Sequence, residues 1–410
     1  MLQAVMISPG EIIIHNTNKP SLKAREILIN IKRIGICGSD IHVYHGLHPY
    51  TKYPIVQGHE VSGIVAEVSP DVEGFQPGDP VVFMPQETCG ECYPCRHDMY
   101  HICDHLKVIG FQANGAAQEF FSIAVDKVLK LPSSINLDQA AMIEPLSVAV
   151  HAVNRAGSVL GKKVLVLGAG TIGNLVGQSA KAMGASRVLI TDLSDYKLEI
   201  ARQCGLAQSV NPKRDDLGKA ILQVFGPDKA DLIIECVGVE ETIGQAINLA
   251  RKGSTIIVVG VFGQKPTVDL GLVQDRELVV DPVGHADGAP QRHALGREAA
   301  DGVGLAVDGL RRVEGRVGRV GDLVGRHGDA GLREVGREPA AGKRDVREVL
   351  GQRPDVVVLA VEEREPARLR LGQQQDIGDD QRRHQADGDA AAGEQRDQSA
   401  LASDPDFRYH

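Results

Sequence analysis

Residues 163 to 183 constrain this chain more than any others, because they prescribe a strand, a tight turn and a helix in direct succession. Lys163-Val164-Leu165-Val166-Leu167 is apolar and rich in β-branched residues, which predicts a buried strand of a parallel sheet. Gly168-Ala169-Gly170-Thr171-Ile172-Gly173 follows at once, and Asn174 to Met183 reads as a helix closed by Gly184. Glycines permit the tight turn and a close backbone approach, and the helix N-terminus can receive a pyrophosphate. Such a glycine pattern alone is weak evidence; set between a strand and a helix it is far stronger. The plain alternative is a packing turn of the same shape that holds no nucleotide.

A second strand, Arg187 to Thr191, ends in Asp192, nineteen residues after Gly173. A carboxylate there can accept hydrogen bonds from the adenosine ribose and repels a 2'-phosphate. No Lys or Arg follows it until Lys197, so NAD is expected rather than NADP. Further strands are expected at Asp231 to Glu235 and Ser254 to Gly260, each ending near glycine. Ligands sit at that carboxyl edge. The expected cofactor contacts are therefore Gly168, Gly170, Thr171, Ile172, Gly173 and Asp192, with Gly238, Gly260, Val261 and Phe262 on the nicotinamide side. Cys204 and Cys236 read as core thiols.

Four of the seven cysteines fall in one short window, in the pattern C-x2-C-x2-C-x7-C formed by Cys89, Cys92, Cys95 and Cys103. Two-residue gaps let neighbouring thiolates turn back on one ion, and the longer gap closes the loop as a fourth ligand. Four thiolates fill the coordination sphere of zinc, so such a site holds a lobe together and leaves no position for substrate. Pro85, Gly90 and Pro94 supply turn chemistry around it. Disulfides are the alternative. Met1 to Gly10 shows neither a basic start nor an apolar core of export-signal length, so reduced thiols are expected.

A second, open metal site can be assembled from Cys37, in Gly35-Ile36-Cys37-Gly38-Ser39-Asp40-Ile41-His42, and His59, in Gly58-His59-Glu60. Glu144 stands in an otherwise apolar run, Met142-Ile143-Glu144-Pro145-Leu146, where an unpaired carboxylate is costly and a nearby cation is a natural partner. Three protein ligands plus water leave the open position that catalytic zinc needs. Taken singly, a buried cysteine or a lone histidine has a more ordinary reading.

Taken together and in this order, G-I-C-G-S-D-I-H, G-H-E, the four-cysteine pattern and I-E-P-L-S-V-A-V-H-A resemble the zinc-containing medium-chain dehydrogenase/reductase family. They look most like its sorbitol and related polyol dehydrogenases. The resemblance covers residues 1 to about 280. It implies an α/β chain with a GroES-like, β-rich catalytic domain over 1–150 and a doubly wound Rossmann domain for NAD over 151–280. It implies one catalytic and one structural zinc ion. Cys37, His59 and Glu144 match the catalytic ligands, with Glu60 either supporting them from behind or serving as an alternate ligand. Ser39 matches the first acceptor of the substrate proton, and His42 the relay to solvent. Asp40 is expected to orient His59.

The implied reaction is oxidation of a secondary alcohol to a ketone, with hydride passing to NAD. A carboxylate in place of the cysteine common in alcohol dehydrogenases leaves a harder ion that favours oxygen ligands, which suits a polyol. Threonine or sugar-acid oxidation with the same parts is the enzymatic alternative within the family, and a zinc- and nucleotide-binding relative without turnover, in view of the altered C-terminal part, is the non-enzymatic one. Asn114-Gly115-Ala116-Ala117-Gln118-Glu119 departs from the Gly-Gly-aromatic pattern frequent in the family, so the substrate is left open.

Near Val280 the chain changes character. Residues 1–280 hold 16 Lys and 9 Arg, whereas residues 281–410 hold 1 Lys and 19 Arg. The later stretch has no Asn, a single Ile (Ile377) and no aromatic residue before Phe407. Large apolar side chains stabilise a core by roughly 1.5–3 kcal/mol each, so a stretch this poor in them is expected to stay disordered. Apolar islands such as Val356 to Val361 read as isolated. Two origins are open: a natural flexible tail, or a segment outside the native reading frame, since its favoured residues mostly have G/C-rich codons. The second reading predicts a poorly folded or weakly active product and weakens the family expectation of a homo-oligomer.

A net charge of -9 without a basic stripe argues against nucleic acid or an acidic membrane as the natural partner, and no apolar run of membrane-spanning length occurs. A cytoplasmic enzyme acting on a small polyol is the resulting expectation.

Overall fold

The computed structural model describes residues 1–284 and the backbone of 357–360. The expectation of disorder over 281–410 falls almost wholly outside these residues. Val357–Ala360, read as part of an isolated island, pairs in parallel with Arg33 to Ile36.

The N-terminal part is β-rich. Strand Glu26–Ile36 pairs antiparallel with Val61–Val68 on one side and Phe120–Ala124 on the other. Pro80–Phe83 and Val128–Lys130 extend the same sheet. Ile27, Ile29 and Ile31 alternate along the first strand and pack with Val61, Val65, Val81, Phe83, Phe121 and Ile123 in one buried cluster. Alternation puts every second side chain on the same face, so Asn30 between them points away from this cluster.

The nucleotide domain contains a six-stranded parallel sheet. Its spatial order is Gln208–Val210, Arg187–Thr191, Lys163–Leu167, Leu232–Glu235, Thr255–Val258, Val279–Pro282. In chain order these are the third, second, first, fourth, fifth and sixth strands, the doubly wound arrangement. Val164 and Val166 bury on one face with Leu175 and Val176 of helix Thr171–Ala182. Leu165 and Leu167 bury on the other with Ile221, Phe225, Ile243 and Ile247. Both faces are covered, so the strands are continuously apolar rather than alternating.

The helix after the glycine turn begins at Thr171, three residues earlier than its apolar pattern suggested, with Gly170 as its N-cap. Strand bounds shift by one or two residues: Leu232–Glu235 and Thr255–Val258 are each shorter than expected. Helix Ile143–Arg155 runs through residue 150, so the chain crosses the expected domain boundary inside a helix.

Candidate active site

Cys37 follows strand Glu26–Ile36 directly, and His59 and Glu60 immediately precede strand Val61–Val68. The two strands run antiparallel with Ile34 opposite Val61, so the end of one lies beside the start of the other. That pairing brings together residues 22 positions apart. One ligand atom from each of Cys37, His59 and Glu60 lies within 4.8 Å of the others. A tetrahedral zinc site with bonds of about 2.0–2.3 Å has ligand separations of roughly 3.3–3.8 Å, so the donor set fits with a small adjustment.

Glycines make room for it. A Cβ on Gly35 would stand 2.2 Å from Glu60 Oε2, so only glycine leaves the carboxylate its place. Gly58 has φ +98°, and a Cβ there would meet the Ala117 amide nitrogen at 2.9 Å. The segment that departs from the family pattern packs here: Gly115, Ala116 and Ala117 donate backbone hydrogen bonds to Val56, Gly58 and Gln57.

Helix Gly38–Tyr44 begins at Cys37 as N-cap. Asp40 Oδ2 accepts from the Cys37 amide at 3.0 Å, and Asp40 Oδ1 accepts from Gln57 Nε2 at 3.0 Å. The same Oδ1 stands 3.7 Å from His59 Nδ1, an ionic contact longer than a hydrogen bond. Phe111, buried and unremarked in the sequence, packs its ring 4.7 Å from that of His59. The ring of His48 also stacks on Phe111, at 4.8 Å.

Electrostatics describe a site that holds positive charge. Burial pushes the Cys37 thiol up to about 11, against the opposing pull of His59. Burial pulls His59 down, but Asp40, the Cys37 hydrogen bond and Glu144 outweigh it and hold the imidazole well above its usual value. The carboxylates of Asp40 and Glu144 thus favour positive charge at this point, and a cation bound there would displace the protons of Cys37 and His59, which ligate only when deprotonated. Glu144, in the first turn of helix Ile143–Arg155, acts on His59 by its charge but is outside the 4.8 Å group, in which Glu60 takes the third place. Ser39 is half-buried in helix Gly38–Tyr44, and His42, one turn on, is exposed to solvent.

The four lobe cysteines also gather, with one sulfur from each within 4.8 Å of the rest. None forms a disulfide. The amides of Cys89 and His105 donate to Cys103 Sγ at 3.4 and 3.3 Å, and that of Cys92 donates to Cys89 Sγ at 3.4 Å. Backbone amides of Glu91 and Cys92 lower the Cys89 thiol from its ordinary value. Amide donors aimed at sulfur favour thiolate, the form that binds zinc. Cys204 and Cys236 take no part in either group; burial raises both thiols, as core positions do.

At the nucleotide crest, Gly168 has φ +98°, and a Cβ on Gly173 would stand 2.0 Å from the Gly168 carbonyl oxygen. Asp192 accepts from the Ala169 amide at 2.9 Å and from the Ser194 amide at 2.8 Å. Gly238 and Gly260 meet across two loops, and Val261 beside them is exposed.

Comparison with known proteins agrees with this geometry. Residues 23–133 match the family model described as "Alcohol dehydrogenase GroES-like domain", and residues 171–285 match "Zinc-binding dehydrogenase". A 2-dehydro-3-deoxy-L-galactonate 5-dehydrogenase of Pseudoalteromonas atlantica is 38% identical over 249 residues, 60% of this chain and 72% of that protein. Sorbitol dehydrogenase of Ovis aries is 34% identical over 288 residues, 69% of this chain and 81% of that protein. A zinc-binding dehydrogenase of Sinorhizobium meliloti solved with NADP superposes with TM-score 0.68 at 28% identity, covering 75% of this chain and 89% of that one. With its GroES-like part, its doubly wound sheet and its zinc-type donor set, the chain belongs to the zinc-dependent medium-chain alcohol dehydrogenase family of oxidoreductases.

Proposed function

We propose that this chain oxidises a secondary alcohol of a polyol or sugar derivative to a ketone, with NAD as hydride acceptor. The observation that carries the reading is the convergence of Cys37, His59 and Glu60 within 4.8 Å, with the charge of Glu144 acting on the same histidine. In this reading Cys37, His59 and Glu144 hold the catalytic ion, and Glu60 is the alternate ligand. Zinc bound there would polarise the alcohol oxygen and ease the loss of its proton. Ser39 accepts that proton, and exposed His42, three residues along the same helix, passes it to solvent. Asp40 keeps His59 turned toward the site. Cys89, Cys92, Cys95 and Cys103 hold a second, structural ion.

The cofactor lies along Gly168, Gly170, Thr171, Ile172 and Gly173, with its ribose at Asp192 and its nicotinamide between Gly238 and the Gly260–Phe262 loop. Asp192 favours NAD by repelling a 2'-phosphate; the NADP in the Sinorhizobium protein belongs to that protein. A sugar acid is the second substrate reading, favoured by the likeness to a dehydrogenase of 2-dehydro-3-deoxy-L-galactonate. Threonine stands behind both.

The domains enter this proposal as 1–150, 151–280 and a segment, 281–410, outside the native reading frame. Its support is the loss of Asn after Val280, the near loss of Ile, the absence of aromatic residues before Phe407, and a zinc-binding dehydrogenase match that ends at residue 285. Translating the coding DNA in its other frames tests this, and absence of strand and helix periodicity in both alternatives sinks it.

The catalytic reading is tested by following NADH absorbance with a panel of polyols, sugar acids and threonine, with and without a chelator. A chelator-sensitive signal with a polyol or sugar acid is expected. Silence across the panel from a folded, zinc-loaded chain returns it to the non-catalytic reading.

A further inference from the structure

We propose that Glu235 is a positioning residue for the nicotinamide end of the cofactor, a buried clamp that sets the spacing of the two loops receiving that ring. The inference rests on the NAD reading above. Glu235 ends strand Leu232–Glu235 and pairs with Leu167, the last residue before the glycine turn. It therefore stands where the strand order reverses, the place where doubly wound sheets bind their ligands.

The residue is completely buried, at 0% exposure. A carboxylate in such a place is costly unless donors surround it. Its Oε1 accepts three hydrogen bonds: from the Val237 amide at 2.8 Å, the Gly238 amide at 2.9 Å and the Thr242 hydroxyl at 2.7 Å. Its backbone carbonyl accepts from the Val259 and Gly260 amides at 2.8 and 3.0 Å. One residue thus holds the loop after its own strand by its side chain and the loop after the neighbouring strand by its backbone.

The two loops meet with no space to spare. A Cβ on Gly260 would lie 2.1 Å from the Gly238 nitrogen and 2.6 Å from Glu235 Oε2. A Cβ on Gly238 would lie 2.4 Å from the Val261 carbonyl oxygen. Above this junction Val237 and Val261 are 44% and 63% exposed, apolar side chains at a polar crest, as a flat aromatic ring requires of its docking surface. Glu235 Oε2 is buried with no hydrogen-bond partner among the described residues. An apolar residue could cap this strand without that cost. Fixing two amides and a hydroxyl at one point is what the carboxylate adds.

The test compares NADH with ADP-ribose, which carries the same adenosine and pyrophosphate without the nicotinamide. Dissociation constants are measured by calorimetry on the full chain and on Glu235→Gln and Thr242→Val. Glutamine keeps the shape but replaces charge-assisted bonds with neutral ones and puts an amide NH2 where Oε2 lies. Glu235→Gln is expected to weaken NADH at least tenfold and Thr242→Val three- to fivefold, with ADP-ribose within twofold in both. If the first variant does not fold, the second decides. Equal losses for the two ligands, or unchanged NADH affinity in a folded variant, overturn the inference and make Glu235 a fold residue alone. An unsubstituted chain that binds neither ligand overturns the NAD reading itself, and this inference with it.

Discussion

The Asp192 carboxylate accepts a hydrogen bond from the Ala169 amide at 2.9 Å, tying the end of one strand to the glycine turn that follows its neighbour. Its other oxygen accepts from the Ser194 amide at 2.8 Å. The residue read as the selector between NAD and NADP is therefore also a brace. A carboxylate has about four acceptor positions, so these two bonds leave room for a ribose hydroxyl.

Asp192→Ala removes both roles. NADH affinity is expected to fall at least tenfold, whereas NADPH, which gains from the lost negative charge, changes by less than threefold. Fluorescence titration with both nucleotides checks this, and parallel losses would show a brace with no part in selection.

Two glycines of the same turn have opposite tolerance. A Cβ on Gly173 meets the Gly168 carbonyl oxygen at 2.0 Å, backbone that cannot step aside, whereas Gly170 has φ -64° and nothing within 4 Å. Gly173→Ala is expected to destabilise the fold by on the order of 1–3 kcal/mol and abolish cofactor binding. Gly170→Ala is expected to change stability by less than about 0.5 kcal/mol. Urea unfolding of the two variants measures the difference.

Cys103 is the buried member of the lobe cluster and accepts amide hydrogen bonds at 3.4 and 3.3 Å. Replacing it by serine removes one of four thiolates from a closed site, where metal binding and folding are one event. Cys103→Ser is expected to halve the bound zinc and lower stability by on the order of 3 kcal/mol. Metal analysis together with thermal melting checks both; full zinc content in the variant refutes the lobe assignment.

His151 lies buried in helix Ile143–Arg155 with its ring 4.9 Å from that of His101. Burial, then the charges of His101 and Arg155, push it down from 6.5 to about 4, against the pull of Asp281. The folded chain thus binds this proton less readily than the unfolded chain. Its contribution to stability is complete above about pH 6.5 and is lost as pH falls toward 4, at no more than about 1.4 kcal/mol per unit. Urea unfolding of the native chain and of His151→Gln between pH 7.5 and 4.5 should show a shallower slope in the variant. Equal slopes would mean that His151 titrates alike in both states.

Much of the site was legible because its chemistry is local in sequence. The lobe cysteines lie within fifteen residues, and the glycine turn is bounded by its own strand and helix. Each motif carries its geometry in its spacing. Partners distant in the chain were not legible. Phe111 carries no polar signal, yet it is the ring against which His59 packs. Glu235 reads as the end of a strand, and only the approach of Gly238 and Gly260 gives its carboxylate a role. Glu144, the third ligand that the resemblance implies, acts on His59 by its charge, and Glu60 is the carboxylate within the 4.8 Å group.

By itself the sequence determined the two kinds of site and the strands and helices that carry them, because residue type and short-range spacing decide metal preference, turn geometry and periodicity. Tertiary structure decided what stands next to what. The antiparallel register of Ile34 against Val61 brings Cys37 to His59, and the parallel register of Leu167 against Glu235 puts a buried carboxylate beside the glycine turn. Register is set by which faces bury their apolar side chains across the whole sheet, a sum over distant residues that no single motif contains.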